Sequence, residues 1–171
     1  MSVFNFHITE VKKLIEDEVA KYKDPVEKEP AFLKWTLKNV FFLTEADYFI
    51  IDAPHDLGID AFFEADIEEV VIIRSRYGTS HSMEAVNQFR KDFSDFESIG
   101  IEKSDAKSRV LRKLISEGRK AVLVYVTNNE VSEKAKLDAF EIGVTILDIN
   151  EITREMWSRN EKYGEAADFI G

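Results

Sequence analysis

Residues 51–78 read IDAPHDLGIDAFFEADIEEVVIIRSRYG, and the alternation of their apolar and charged positions decides the fold. In IDAFFEAD, strand periodicity sets Ile59, Ala61, Phe63 and Ala65 on one face and Asp60, Phe62, Glu64 and Asp66 on the other. In EVVIIRSRY, Val71, Ile73, Ser75 and Tyr77 share a face opposite Val70, Ile72, Arg74 and Arg76. The two runs are joined too closely for anything but an antiparallel hairpin. A reversal centred near Ile67 sets Asp60 directly opposite Arg74, with Arg76 one diagonal step away and all three on one face. The plain reading of that trio is a cross-strand ion pair contributing roughly 0.2 to 1 kcal/mol.

Working outward, HITEVKKLIEDEVAKYK carries Ile8, Val11, Ile15, Val19 and Tyr22 at helical spacing, which predicts an amphipathic helix over 7–23 closed by Pro25. EPAFLKWTLKNVFFL predicts a second helix with Pro30 in its first turn and Leu33, Leu37, Val40 and Phe41 on one stripe. YFII adds a short strand ahead of the hairpin. Two helices, SMEAVNQFRKDF and KSDAKSRVLRKLISEG, lead to AVLVYVTNN, an apolar run of the kind a buried central strand shows. The helix VSEKAKLDAFE, the strand VTILDI and a terminal helix from about Glu151 complete the order. Strands alternating with helices after the hairpin favour parallel pairing, so the expected fold is α/β, a mixed central sheet flanked by helices in three layers.

The chain has 171 residues and no Pro/Gly/Ser-rich linker, which suits one domain. No window approaches the roughly 18 consecutive apolar residues of a membrane span, and nothing at the start reads as a signal peptide. Zero cysteines exclude disulfides and thiolate metal sites, and the expected location is the cytoplasm. The formal net charge of −10 argues against indiscriminate binding to phosphate backbones. That charge is uneven, because residues 74–120 hold 11 Lys/Arg against 7 Asp/Glu and any nucleic-acid surface would lie there. The competing reading makes Lys103, Lys107, Arg109, Arg112, Lys113, Arg119 and Lys120 the solvated face of a helix and its flanks.

Taken in order, DAPHDLGIDAFF, VVIIRSRYG, NQFRKDF, VLVYVTNNEVSEKAK and VTILDINEI resemble the N-terminal restriction-endonuclease-like domain of abortive-infection phage-resistance (AIPR) proteins and related Mrr-type members of the PD-(D/E)XK nuclease superfamily. The resemblance covers roughly residues 30–152, so 1–171 is expected to be one such domain, whole or the N-terminal part of a longer protein. It implies a metal-dependent DNA endonuclease ancestry, with Asp60, Arg74 and Arg76 at the catalytic positions and Mg²⁺ or Mn²⁺ as cofactor. Asp60 matches the family's metal-binding aspartate, while Arg74 stands where glutamine or glutamate is expected and Arg76 where lysine is expected. A further helical acid belongs near the Ala31-Phe32 pair, where this chain offers Lys34. Arginine coordinates no cation and stays protonated, so it cannot serve as a general base. The implied function is a degenerate nuclease-like domain of a phage-defence or restriction protein that recognises DNA weakly, or a partner, and then needs no metal.

Two alternatives stay open. An active nuclease would take Asp56 and Asp60 as metal ligands, with His55 beside them, although APHDLG also reads as a plain polar turn. A protein-interaction or dimerisation module, as a homodimer or within a longer chain, would touch no nucleic acid. Thr127, Asn128 and Asn129 follow a buried strand and suit either a ligand or a helix N-cap. Trp35, Trp157 and the phenylalanines at 32, 41, 42, 62, 63, 89, 93 and 96 read as core. The histidines at 7, 55 and 81 lack metal-ligand spacing, and no Gly-rich phosphate loop, HExxH or Ser/His/Asp constellation is visible.

Overall fold

A computed structural model describes residues 3–51, 58–78, 82–98 and 106–162. Its elements run α1 (Val3–Val19), α2 (Pro25–Asn39), β1 (Phe49–Ile50), β2 (Ala61–Glu64), β3 (Glu69–Arg76), α3 (Met83–Ser98), α4 (Ala106–Ser116), β4 (Lys120–Thr127), α5 (Glu133–Glu141), β5 (Val144–Leu147) and α6 (Ile149–Lys162). The five strands form one sheet in the order β1-β2-β3-β4-β5. β1/β2 and β2/β3 pair antiparallel, and β3/β4 and β4/β5 pair parallel. The fold is therefore α/β with a mixed sheet between two helical layers.

The layers follow from strand alternation. Val71, Ile73, Val124 and Val126 point into a core closed by α1, α2 and α6, through Val11, Phe32, Leu37 and Ile152 among others. Val70, Ile72, Leu123 and Tyr125 point the other way, onto Phe89, Phe93 and Phe96 of α3 and Leu111 of α4. Ile72 and Ile73 are both fully buried, each contributing roughly 1.5–3 kcal/mol of apolar transfer. Because strand order advances steadily from β3 to β5, two crossovers of one hand leave α3, α4 and α5 on the same face.

Helix boundaries differ from the sequence reading where side chains cap the backbone. The Asp24 carboxylate accepts the Val26 N–H at 3.0 Å and Pro25 takes the first helical position, so α2 starts five residues earlier than Pro30 suggests. Pro30 lies inside the helix, close enough to its start that only the bond to the Val26 carbonyl is forfeited. α6 starts at Ile149 because buried Asp148 accepts the Glu151 N–H at 2.9 Å through Oδ1. Asp148 Oδ2 accepts the Val131 N–H at 2.9 Å and meets Lys136 Nζ at 3.2 Å, tying α5, β5 and α6 together. No helix among the described residues is long and apolar enough to cross a membrane.

Candidate functional site

The hairpin pairs Ala61 with Ile73 and Phe62 with Ile72, the register that a reversal near Ile67 requires. Asp60 leaves the alternation just before the ladder begins. Ile59 and Phe62 both sit in the core under α3, three residues apart, so one position between them is out of step. The Asp60 N–H donates to the Ile73 carbonyl at 2.9 Å, its carbonyl accepts the Ile51 N–H at 3.0 Å, and its carboxylate accepts the Ser75 N–H at 2.8 Å. The side chain lines a cleft with Glu29, Pro30, Leu33 and Lys34 of α2.

The two arginines diverge. Arg76 Nη1 lies 3.5 Å from Asp60 Oδ2 and 3.9 Å from Glu29 Oε1, and donates to the Ser75 carbonyl at 2.8 Å. Arg74 instead reaches Asp92 of α3 at 3.5 Å, and Asp92 also accepts a bond from Gln88 at 2.7 Å. Asp60 therefore pairs with Arg76, one step further along β3 than the directly opposite Arg74, whose ion pair is with Asp92. The out-of-step position at Asp60 is the cause, since it turns the carboxylate toward α2 while Arg74 stays on the α3 side.

Gly58 explains why Arg74 goes where it does. Its φ of +77° is a left-handed conformation that side chains disfavour, and a Cβ there would run into the Arg74 guanidinium and the Asp92 carboxylate. The ion pair packs over the bare backbone. Tyr125, paired with Arg74 in the β3/β4 register, is buried beside the same charges. Burial raises its phenol above the ordinary value of 10.0 against the opposing pull of Arg76 and Arg74, so it stays protonated at neutral pH.

Glu29 is the residue that sequence reasoning missed. Glu29 stands two residues before Ala31, and the packing of α2 on the sheet brings it to Arg76. Its signal was present as the acid one helical turn ahead of Leu33, but Pro30 drew the helix start past it. Asp56 and His55, the other ligand candidates, lie outside the described residues.

A divalent ion needs carboxylate oxygens unopposed by fixed positive charge. Asp60 and Glu29 converge from two elements as such a centre requires, yet the point they share holds the Arg76 guanidinium. This donor set does not fit Mg²⁺ or Mn²⁺.

The cleft beside Asp60 has a volume of about 510 Å³ and is walled by Val26, Pro30, Leu33, Ile50 and Ile51, with Lys34 and Lys107 among its lining residues. Lys107 Nζ donates to the Ile50 carbonyl at 2.8 Å. Ser75 is 3% exposed, lines the cleft, and its hydroxyl has no hydrogen-bond partner among the described residues. A second cavity of about 340 Å³ lies between α1 and the end of β4, lined by Lys12, Glu16, Asn128 and Asn129 among others. Its asparagines are engaged: Asn128 Oδ1 accepts the Gly78 N–H at 2.9 Å, the Asn129 N–H donates to Thr127 Oγ1 at 3.2 Å, and the Asn129 carbonyl accepts the Ile149 N–H. The N-cap of α5 is Ser132, not this triplet.

The basic section divides. Lys107, Arg109, Lys113 and Lys120 are exposed, whereas Arg112 stacks over Phe96 at 4.1 Å and Arg119 meets Glu64 at 3.7 Å. Lys103 lies outside the described residues. Comparison with protein-family models, curated proteins and solved structures returned no match to this chain.

Proposed function

We propose that this chain is a nuclease-like domain of the phage-defence or restriction type that binds DNA and does not cut it. The observation that carries this reading is the seat of Arg76. Its guanidinium takes the point where Asp60 and Glu29 converge, so a permanent cation stands where a cleaving site would gather a metal. Such a site cannot lower the pKa of a bound water, and its arginine cannot remove a proton. It can still hold a phosphate, helped by exposed Lys34 and Lys107 at the cleft. DNA as partner puts the chain in the cytoplasm, in keeping with its lack of cysteine.

Binding of this kind rests on counterion release. With three phosphate contacts, the slope of log K on log salt is roughly −3. Fluorescence anisotropy with a short duplex tests it: binding at about 50 mM salt that falls away along that slope is expected, and no binding at that salt contradicts the reading. A second reading has an observation of its own, because Leu137 and Phe140 on α5 are 64% and 72% exposed. Exposed apolar side chains on one helix suit a protein partner, and absence of any DNA affinity would favour that interaction module.

A further inference from the structure

We infer that the outer face of α5 is a dimerisation surface, on which a second copy of this chain packs its own α5 antiparallel through Leu137 and Phe140. The inference does not rest on the DNA-binding reading. It stands on the inverted polarity of the helix and on the placing of its charges.

A helix that covers a sheet turns its large apolar residues inward, and α5 does the reverse. The residues it sets against the core are alanines: Ala139 is fully buried, and Ala135 is half-buried against the same cluster. Leu137 and Phe140, the large apolar side chains of EKAKLDAFE, point outward and are 64% and 72% exposed. With β5 beneath it and α3 beside it, the helix has its outer flank left for a partner, and that is the flank these two residues occupy. Spacings of three and four residues put Lys134, Leu137, Phe140 and Glu141 on one stripe. A stripe of adjacent apolar residues rimmed by charges is the pattern of an association surface, where scattered single apolar residues are not.

The charges select a second copy as the occupant. Lys134 stands one turn before Leu137 and Glu141 one turn after it, both exposed, with 88% of the Lys134 side chain in solvent. When two copies of α5 cross antiparallel with each Leu137 against the other's Phe140, each Lys134 comes alongside the other's Glu141. One apolar contact and one ion pair are thus each made twice about a two-fold axis, and the helix supplies both halves of every contact. A parallel crossing would set Lys134 on Lys134 and Glu141 on Glu141. Lys134 also meets Asp138 of its own helix at 3.3 Å, but an exposed pair of that kind holds it weakly and leaves it able to turn to a partner. Local balance of this sort matters in a chain of net charge −10, whose surface as a whole repels another copy.

Sedimentation equilibrium on the full chain tests this. A dimer is expected at about 100 μM chain, a range in which small interfaces associate. Leu137→Ser with Phe140→Ser should weaken association by at least about a hundredfold, and because both side chains are exposed the circular dichroism spectrum should not change. Lys134→Glu alone and Glu141→Lys alone should each weaken association about tenfold, by turning two attractions into two repulsions. The two exchanged together in one chain recreate the pair with its signs reversed and should recover the dimer. A monomer at that concentration overturns the inference and leaves α5 to an unlike protein. A dimer indifferent to the serine pair has its contact elsewhere, which overturns the inference too. A dimer that the serine pair dissociates, but that the charge exchange does not recover, overturns the antiparallel self-pairing. Duplex binding is read separately by anisotropy, so none of these outcomes decides the DNA-binding reading.

Discussion

Replacing Gly58 by alanine probes the scaffold of the site at the point where backbone and ion pair meet. Two separate terms oppose the substitution. A left-handed φ of +77° costs an L-residue about 1–2 kcal/mol. The new methyl would also collide with the Arg74 guanidinium and the Asp92 carboxylate, side chains only 16% and 19% exposed, so the charge-assisted contact between them must open. Losing a hydrogen bond between charged groups at that depth costs about 1.5–3 kcal/mol. The sum is about 2.5–5 kcal/mol, which for a chain of this size lowers the melting temperature by roughly 5–20 °C. A double-mutant cycle separates the terms. In an Arg74→Ala background the collision is gone, and Gly58→Ala should cost only the backbone term of about 1–2 kcal/mol. Urea unfolding of the four proteins supplies the numbers. Equal costs in the two backgrounds, or a total under about 0.5 kcal/mol, would refute the packing of Arg74 and Asp92 over the glycine.

Asp148→Ala removes a buried carboxylate that holds Lys136 and two backbone N–H groups, so chemical denaturation should show a loss of about 3–5 kcal/mol. Asp24→Ala removes only an exposed N-cap and should cost about 1 kcal/mol by the same measurement. Alkaline pH is the third test. Burial works to lower Lys136, but Asp148 and Glu151 overcome it and hold the ammonium above its ordinary 10.5, so its contribution is complete below that pH and is lost as pH rises through the folded value. Tyr125 acts in the same direction, because its phenol is held above 10.0 by burial and the unfolded chain ionises first. Thermal melts should therefore weaken above about pH 10 and not between pH 7 and 9 from these groups, and Lys136→Met should reduce the alkaline fall.

The hairpin register was legible because its strands bury alternating residues on both faces. A one-residue slip would have exchanged Phe62 and Ile72 with Phe63 and Ile73 across two cores already filled by α2 and α3. Parallel pairing of β3, β4 and β5 was legible from the helices between them. Asp60 was not, because a single out-of-step residue turns one side chain and leaves the pattern on either side intact. Glu29 was hidden for a different reason: an acid in a helix carries no local mark of the strand it will face. The start of α2 hid it further, since Asp24 and Pro25 supply the cap and first turn that Pro30 suggested. Asp148 read only as part of a strand, yet it caps the next helix.

The most direct test of the site is a Mn²⁺ titration joined to a plasmid-cleavage assay on the unmodified protein, on Arg76→Lys with Arg74→Glu, and on Asp60→Asn. If Arg76 holds the seat between Asp60 and Glu29, the unmodified chain binds no Mn²⁺ and leaves the plasmid intact, while the double variant gains Mn²⁺ affinity whether or not its geometry permits cleavage. Mn²⁺ binding and plasmid cleavage by the unmodified protein, both abolished by Asp60→Asn, would contradict the account and make this chain an active metal-dependent nuclease.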